Sequence, residues 1–532
     1  MILKDILVPM PEKKVVTRTY ANGSVYVYYR IRTYRNEKGQ PTNDVVAIGK
    51  KDTATGKLVP NQRYFDIFPD SNYQNPKAIT PKLIKACGNV AAMMEMANQT
   101  DLLSILKKSM PTKCDQLLAT AFYMICEGNV MMYIGDWFEN NNVNFTEHMT
   151  DIDCSKLFAS ITEEEKRLFF SEWIKCRGEQ EHIAYDVTSI STHSQNIEIA
   201  EWGFNRDNDK LPQINLGLFY GVSSNMPIYY HTYSGSIPDK VSLEYMMATA
   251  KDLGISNTSF VFDCGFVTED NFLYMYENNI PFITAMPGNR TEATNLIDKF
   301  KNSIENSGNR IREYDVYGVA HSTSMYGQEI QAHIYFDQEK RLLETNEIYA
   351  YIDKLEAELI ELSKTKKQVT KRFKEIFIIN EQPKKSSFTY ELDTEKIDAK
   401  LSRAGYFILL CISRELSSKD VLKTYREKDT IEKNFDQFKN RLDFKRFRTH
   451  WKATMEGKMF AGFIALILRT YMKGLIKKND DLKKVTFEKM LIELNKIKSV
   501  TMSDNKNILM PLTKLQKDIL LTLKVDVALL EM

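Results

Sequence analysis

At 532 residues the chain is too long for one hydrophobic core, and with 43% hydrophobic and 27% charged residues it lacks the polar bias of disorder, so three or more folded units are expected. The net charge of +2 hides a partition: Met1–Tyr64 carries 12 Lys+Arg against 5 Asp+Glu, Val421–Asp480 carries 15 against 7, and the rest is left with −13. Basic segments around an acidic middle suit a protein that holds a polyanion and gathers carboxylates at a metal site, although solvated surface charge gives the same tally. Seven cysteines without a CxxC pair and seven histidines without an HExxH argue against a disulfide framework or a zinc site.

In chain order, residues 15 to 64 alternate aromatic or β-branched with polar residues and are broken by "NG", "KGQP" and "TG", which predicts a small basic β-rich module. From about Pro81 to Asn141 the period becomes helical, and a second helical patch, "ITEEEKRLFFSEWIKC", opens on a capping box of Thr162 with Glu165. Between Glu181 and Pro287 three strand candidates ("IAYDVTSI", "INLGLFYGV", "MPIYYHTYSG") are followed by helix, strand ("SFVFDCG"), helix and strand ("PFITAMP"). This order predicts a mixed sheet covered by helices.

After Gly288 come β-like segments and a long helix. Its Ile348, Ile352, Leu355, Leu359 and Leu362 form a short seam, read as an arm of a packed helical hairpin rather than a dimer zipper. From Trp451 the chain is helical again. Met459–Leu468 is apolar all round and predicts a buried helix; it is about half of the ~20 residues a membrane span needs. With no signal-peptide pattern at Met1, a cytoplasmic protein without a membrane partner is expected.

The stretch "YREKDTIEKNFDQFK" decides between function classes. Ser417 and Asp420 offer a helix start, and no Pro or Gly interrupts the helix through Glu432. Residues seven apart lie about 20° short of two turns, so Tyr425, Glu432 and Lys439 share a face, with Lys428 one turn before Glu432. That face is either a set of surface ion pairs or a carboxylate ligand flanked by phosphate-binding groups. Asp186, inside an otherwise apolar strand, and Asp263, at the end of another, supply partners. Two strand aspartates with a helical glutamate form an oxygen-rich set for Mg²⁺ or Mn²⁺.

These residues resemble the DDE transposases, most closely the bacterial insertion-sequence-four type, whose signature is Tyr, two residues, Arg, three, Glu, six, Lys. Tyr425, Lys428, Glu432 and Lys439 meet every spacing, with Lys where Arg is usual; "DVTSIS", "GFNRDNDKLPQINLGL" and "FDCGFVTEDNF" agree. The resemblance covers roughly 80 to 530. It implies an RNase H-like mixed α/β core flanked by helices and interrupted by a large β-rich insertion with a helical hairpin. It also implies a two-ion Mg²⁺ or Mn²⁺ site on Asp186, Asp263 and Glu432, and phosphate contacts from Tyr425, Lys428 and Lys439. The expected partners are double-stranded DNA (terminal inverted repeats and target DNA) and a second copy in the DNA complex.

The division expected on this basis is 1–75, basic β module for DNA binding; 76–180, helical, for DNA ends or dimerisation; 181–290, first part of the catalytic core; 291–416, insertion; 417–450, glutamate helix; and 451–532, C-terminal helices. The expected activity is cut-and-paste transposition of an insertion sequence. A nuclease without strand transfer, a non-catalytic DNA-binding descendant and a scaffold built on the seam remain as alternatives.

Overall fold

The computed structural model describes residues 6–69, 71, 80–177, 182–205, 209–255, 258–365, 370–382, 387–428 and 435–530. By its internal contacts the chain divides into Met1–Lys82 with Met502–Lys506, and Leu83–Thr501 with Asn507–Met532.

The first unit is built on a four-stranded sheet in the order β1 (Val15–Thr19), β2 (Val25–Arg35), β3 (Pro41–Lys51), β4 (Leu58–Pro60), followed by α1 (Gln62–Ile67). Alternation along the strands sends Val27 and Ile48 inward against Leu58, Tyr64 and Phe65, a core of its own.

After β5 (Pro81–Ala86), the second unit begins with α2 (Gly88–Gln99), α3 (Leu102–Ser109), α4 (Cys114–Glu127), α5 (Ile134–Asn140), α6 (Asp151–Ser160) and α7 (Glu163–Arg177). The predicted capping box opens α7: Thr162 Oγ1 accepts from the Glu165 N–H at 3.2 Å, and Glu165 accepts from the Thr162 N–H at 2.8 Å.

A ten-stranded sheet follows. Its antiparallel wing is β6 (Ile183–Thr192), β7 (Gln213–Gly221) and β8 (Pro227–Ser234). Chain continuity then runs through α8 (Asp239–Asp252), β9 (Phe260–Phe262), α9 (Glu269–Glu277) and β10 (Phe282–Ala285), with β9 parallel to both β6 and β10. Each predicted strand and helix of this stretch is present in the predicted order.

Most strands of the segment after β10 join the sheet already described. After α10 (Thr291–Phe300), strands β11 (Arg310–Ile311), β12 (Val316–Met325), β13 (Gln328–Asp337) and β16 (Tyr406–Cys411) extend the same sheet, giving the order β11-β12-β13-β16-β10-β9-β6-β7-β8. The long helix α11 (Gln338–Thr365) presents Ile352, Leu355 and Leu359 to Phe373, Ile376, Phe377 and Ile397. In place of the second long arm of a helical hairpin, the seam meets the strand pair β14 (Phe377–Gln382) and β15 (Ser387–Leu392) and the short α12 (Thr394–Ser402). The β-branched run "IFIIN" turns the chain into a strand where a returning helix was expected.

Beyond α13 (Ser418–Glu427) and the two-residue β17 (Arg446–Phe447), which pairs with β6, runs α14 (Lys452–Lys478). Length and composition would let α14 cross a membrane, but 78% of its apolar window is buried inside the protein. It packs against α2, α4, α6 and β8, as the uniformly apolar Met459–Leu468 predicted. At Gly457 its backbone approaches α6 so closely that a Cβ would stand 2.1 Å from the Phe158 carbonyl oxygen. Then α15 (Phe487–Asn495) and α16 (Lys514–Thr522) close the unit.

Candidate active site

Register places the two aspartates together. Ile183 of β6 pairs with Phe260 of β9 and Ala184 with Val261, in parallel. Asp186 and Asp263 each stand three residues beyond the Ile183–Phe260 pair, on one face of neighbouring strands that lie about 4.8 Å apart. Asp186 is buried at 6% exposure, and its Oδ1 accepts from the Val187 N–H at 2.8 Å. Asp263 follows β9 and caps a 3₁₀ turn, accepting from the Cys264 N–H at 2.9 Å, and its side chain is 51% exposed.

The two faces of the sheet differ in what covers them. Tyr185 and Phe262 point to the opposite side, where the Tyr185 hydroxyl meets Ser242 of α8 at 3.1 Å. On the aspartate face, α13 packs Val421 and Leu422 onto Ile283, Leu409, Cys411 and Tyr335, over β10, β16 and β13. At the other end of this face, α14 and α7 cover β7 and β8: Tyr220 donates to Thr470 at 3.2 Å, and Tyr230 packs on Phe463. The strands carrying Asp186 and Asp263 therefore lie between two helical covers.

Why α13 starts where it does follows from its cap. Ser417 Oγ accepts from the Asp420 N–H at 3.2 Å, and the Tyr335 hydroxyl donates to the Ser418 carbonyl at 2.7 Å. His333 Nδ1 lies 3.0 Å from Ser418 Oγ; burial pushes its imidazole down to about 4, so it is neutral. Docked in this way, α13 carries Tyr425 and Lys428 toward the aspartates. The Lys428 ammonium lies 3.7 Å from Asp263 Oδ1 and 5.4 Å from the centre of the Tyr425 ring.

The helical face predicted to be solvated or phosphate-binding is thus partly inside the protein: Lys428 is 5% and Lys439 7% exposed. Lys439 stands in a π-helical turn, Gln437–Arg441, packed against α14. Phe438 and Phe444 stack at 4.3 Å over Gly462, where any Cβ would strike the Phe444 ring. Glu432 lies outside the described residues. The structure brings Asp186, Asp263, Tyr425 and Lys428 together, and fixes Lys439 to α14.

Sequence reasoning missed the group that holds this turn. Arg469, 2% exposed on α14, donates to Gln437 Oε1 at 2.8 Å and to Glu488 at 2.9 Å, and its guanidinium lies 4.0 Å from the centre of the Phe487 ring. The available signal was a lone arginine in "FAGFIALILRT", a stretch with no other charged residue.

Chemically, the site is built of oxygen donors. Burial first, and then the charge of Asp263, push the Cys264 thiol up, which disfavours its thiolate. Among the described residues no group of three or more His, Cys, Asp or Glu could hold a metal. Asp186 and Asp263 supply two carboxylates of the hard type that suits a divalent cation.

A family model for the transposase DDE domain matches residues 177–468, more than half of the chain and the whole stretch from the start of β6 to the middle of α14. No curated protein matches the sequence. Among solved structures, the piggyBac transposase synaptic complex with hairpin DNA is similar at 10% identity and a TM-score of 0.33, over 64% of this chain and 56% of that one. The chain spans little more than half the length of that structure. With both aspartates, the covering helix α13 and the Lys439 turn inside the matched residues, the chain belongs to the transposase DDE domain family.

Proposed function

We propose that this protein is a metal-dependent DNA transposase of the insertion-sequence-four type, which excises its element by phosphodiester hydrolysis and joins the freed ends to target DNA. The observation that carries this reading is the parallel register that sets Asp186 and Asp263 side by side within the matched domain. The strand order β8-β7-β6-β9-β10, with helices on both faces, supports an RNase H-like core. Asp186 and Asp263, with Glu432 as the third carboxylate, would hold the divalent cations. When bound, such ions activate the attacking water or 3′-hydroxyl and stabilise the leaving oxygen.

The protein's own groups do the rest. Asp186 and Asp263 fix the acidic centre on a rigid sheet. The Lys428 ammonium sits beside Asp263, where it offsets carboxylate charge and would pair with a substrate phosphate brought to the aspartates; the Tyr425 ring lies against it. Lys439 supplies a second cation. Terminal inverted repeats and target DNA are the partners in this reading, and two copies hold the two ends of the element in one complex.

The test is a plasmid carrying both boundaries of the DNA segment that encodes the chain, incubated with the protein in Mg²⁺. Cleavage at the boundaries and a joined product are expected, and Asp186→Asn or Asp263→Asn should each lose at least about 100-fold in rate. Cleavage without joining would establish a nuclease instead. An Asp263→Asn protein as active as the wild type would remove the assignment altogether.

A further inference from the structure

The outer half of the β2–β3 hairpin has no core to serve. Val27 and Ile48 in its inner half are fully buried, whereas Ile31, Arg32, Thr33, Tyr34 and Arg35 are all exposed. A two-stranded ribbon without a packed face is marginal in water, so its persistence needs another cause. The register shifts at Ile31, between the pairs Arg30–Val45 and Arg32–Asp44, which marks where the exposed half begins. Polar links then stiffen it. Thr33 donates to Asn43 at 2.7 Å and Arg32 to Asp44 at 2.9 Å. At the tip, Asn36 Oδ1 accepts from the Lys38 and Gln40 N–H groups, both at 3.0 Å, and Arg35 donates to the Gly39 carbonyl at 2.9 Å.

What the ribbon displays is mixed in a particular way. Arg32, Arg35 and Lys38 are cations, Thr33 and Asn43 are hydrogen-bonding groups, and Ile31 and Tyr34 are exposed apolar groups at 56% and 39%. Holding a polyanion needs only the cations. Reading base edges uses guanidinium on guanine, amide on adenine and apolar contact with the thymine methyl. Dimensions agree: B-DNA's major groove is about 12 Å wide and admits a two-stranded ribbon, and five residues from Ile31 to Arg35 extend about 17 Å at ~3.4 Å each. The basic balance of Met1–Tyr64, 12 cations to 5 anions, favours the same partner.

We infer that the Ile31–Asp44 ribbon enters the major groove of duplex DNA and reads base edges there, which rests on the transposase reading and supplies it with an end-recognition element. The experiment uses the full chain and duplexes covering the two boundaries of its encoding DNA segment, with random-sequence duplex as reference. Binding is read by fluorescence anisotropy over a range of salt, and groove use by dimethyl sulfate interference at guanine N7, which lies in the major groove.

N7 methylation within one helical turn should block binding of the wild-type protein. Arg32→Ala, Arg35→Ala and Lys38→Ala should each either relax preference for the boundary duplex by about 5- to 150-fold or flatten the salt slope by about one unit. Wild-type protein that binds boundary duplex with N7 methylation harmless, or a triple variant with wild-type affinity and slope, overturns the inference. So does a triple variant that changes self-association but not DNA binding. Wild-type protein that neither binds nor cleaves any duplex overturns the transposase reading instead, whereas cleavage that survives loss of the ribbon's cations with unchanged affinity overturns the ribbon alone.

Discussion

Replacing Arg469 by methionine tests whether α14 clamps the turn that carries Lys439. The guanidinium makes three contacts: a buried charge-assisted bond to Gln437 at 2.8 Å, an ion pair at 2.9 Å to Glu488, whose side chain is 44% exposed, and the Phe487 ring at 4.0 Å. The first is worth about 1.5 to 3 kcal/mol, the second about 0.5 to 1 after solvent screening, and the third about 1. Methionine regains part of this, because burial has already pushed the Arg469 pKa down to about 10 and the apolar side chain escapes that cost. A net loss of about 3 kcal/mol is expected, since Gln437 keeps a buried carbonyl without a donor. The loss should be local.

Native-state hydrogen exchange reads it directly. The Leu442, Phe444 and Lys445 amides donate to Gln437, Phe438 and Lys439 at 3.0, 3.2 and 3.2 Å. If the clamp opens about 3 kcal/mol more easily, these amides exchange roughly 150-fold faster while the middle of α14 does not. Exchange accelerated by less than tenfold, or accelerated equally along α14, would refute the reasoning: the first outcome denies the clamp, and the second makes Arg469 a general stability residue.

Three further outcomes follow from the geometry. Lys428→Met should slow single-turnover cleavage by roughly 100-fold while Lys428→Arg retains it, because the charge beside Asp263 is kept; a methionine variant at wild-type rate would sink this role. Gly457→Ala drives a methyl against the Phe158 carbonyl oxygen, a backbone atom that cannot swing aside, and should destabilise by about 3 kcal/mol; an unchanged thermal midpoint would show that α6 and α14 part freely. Lys458 is pushed down to about 8, by burial first and by Arg448 next, against Asp443 and Cys154. Folding then disfavours its charged form, so stability should rise as pH increases from about 8 to 10.5. A chemical-denaturation series in which Lys458→Met keeps that rise would exclude Lys458 as its source.

Local pattern carried the central sheet into view: "IAYDVTSI", "SFVFDCG" and their neighbours have the period and punctuation of strands and helices, and both aspartates fell on adjacent strands. What stayed hidden is non-local. Nothing in "EIQAHIYFD" or "GYFILLCISR" announces that β13 and β16 pair with each other and, through β10, extend the aspartates' own sheet; partners separated by 70 to 80 residues in the first pairing and by more than a hundred in the second leave no periodic trace. Lys428 and Lys439 looked like surface because lysine usually is. Burial of their stems is set by α13 and α14 packing, which a helical wheel does not contain.

The position of α14 has a consequence for synthesis. Helices α2, α4 and α6 are made first, yet the helix that completes their core begins at Lys452, some three hundred residues later. Until it emerges, those early helices expose apolar surface, and β6 awaits β17 as well. A chain halted anywhere before about Lys478 therefore contains the separate core of the N-terminal sheet but lacks the complete helix that covers α2, α4 and α6. Premature stops and frameshifts in the matched domain should yield products that proteases clear, so the sheet bearing the two aspartates is fully covered only in chains translated almost to their end.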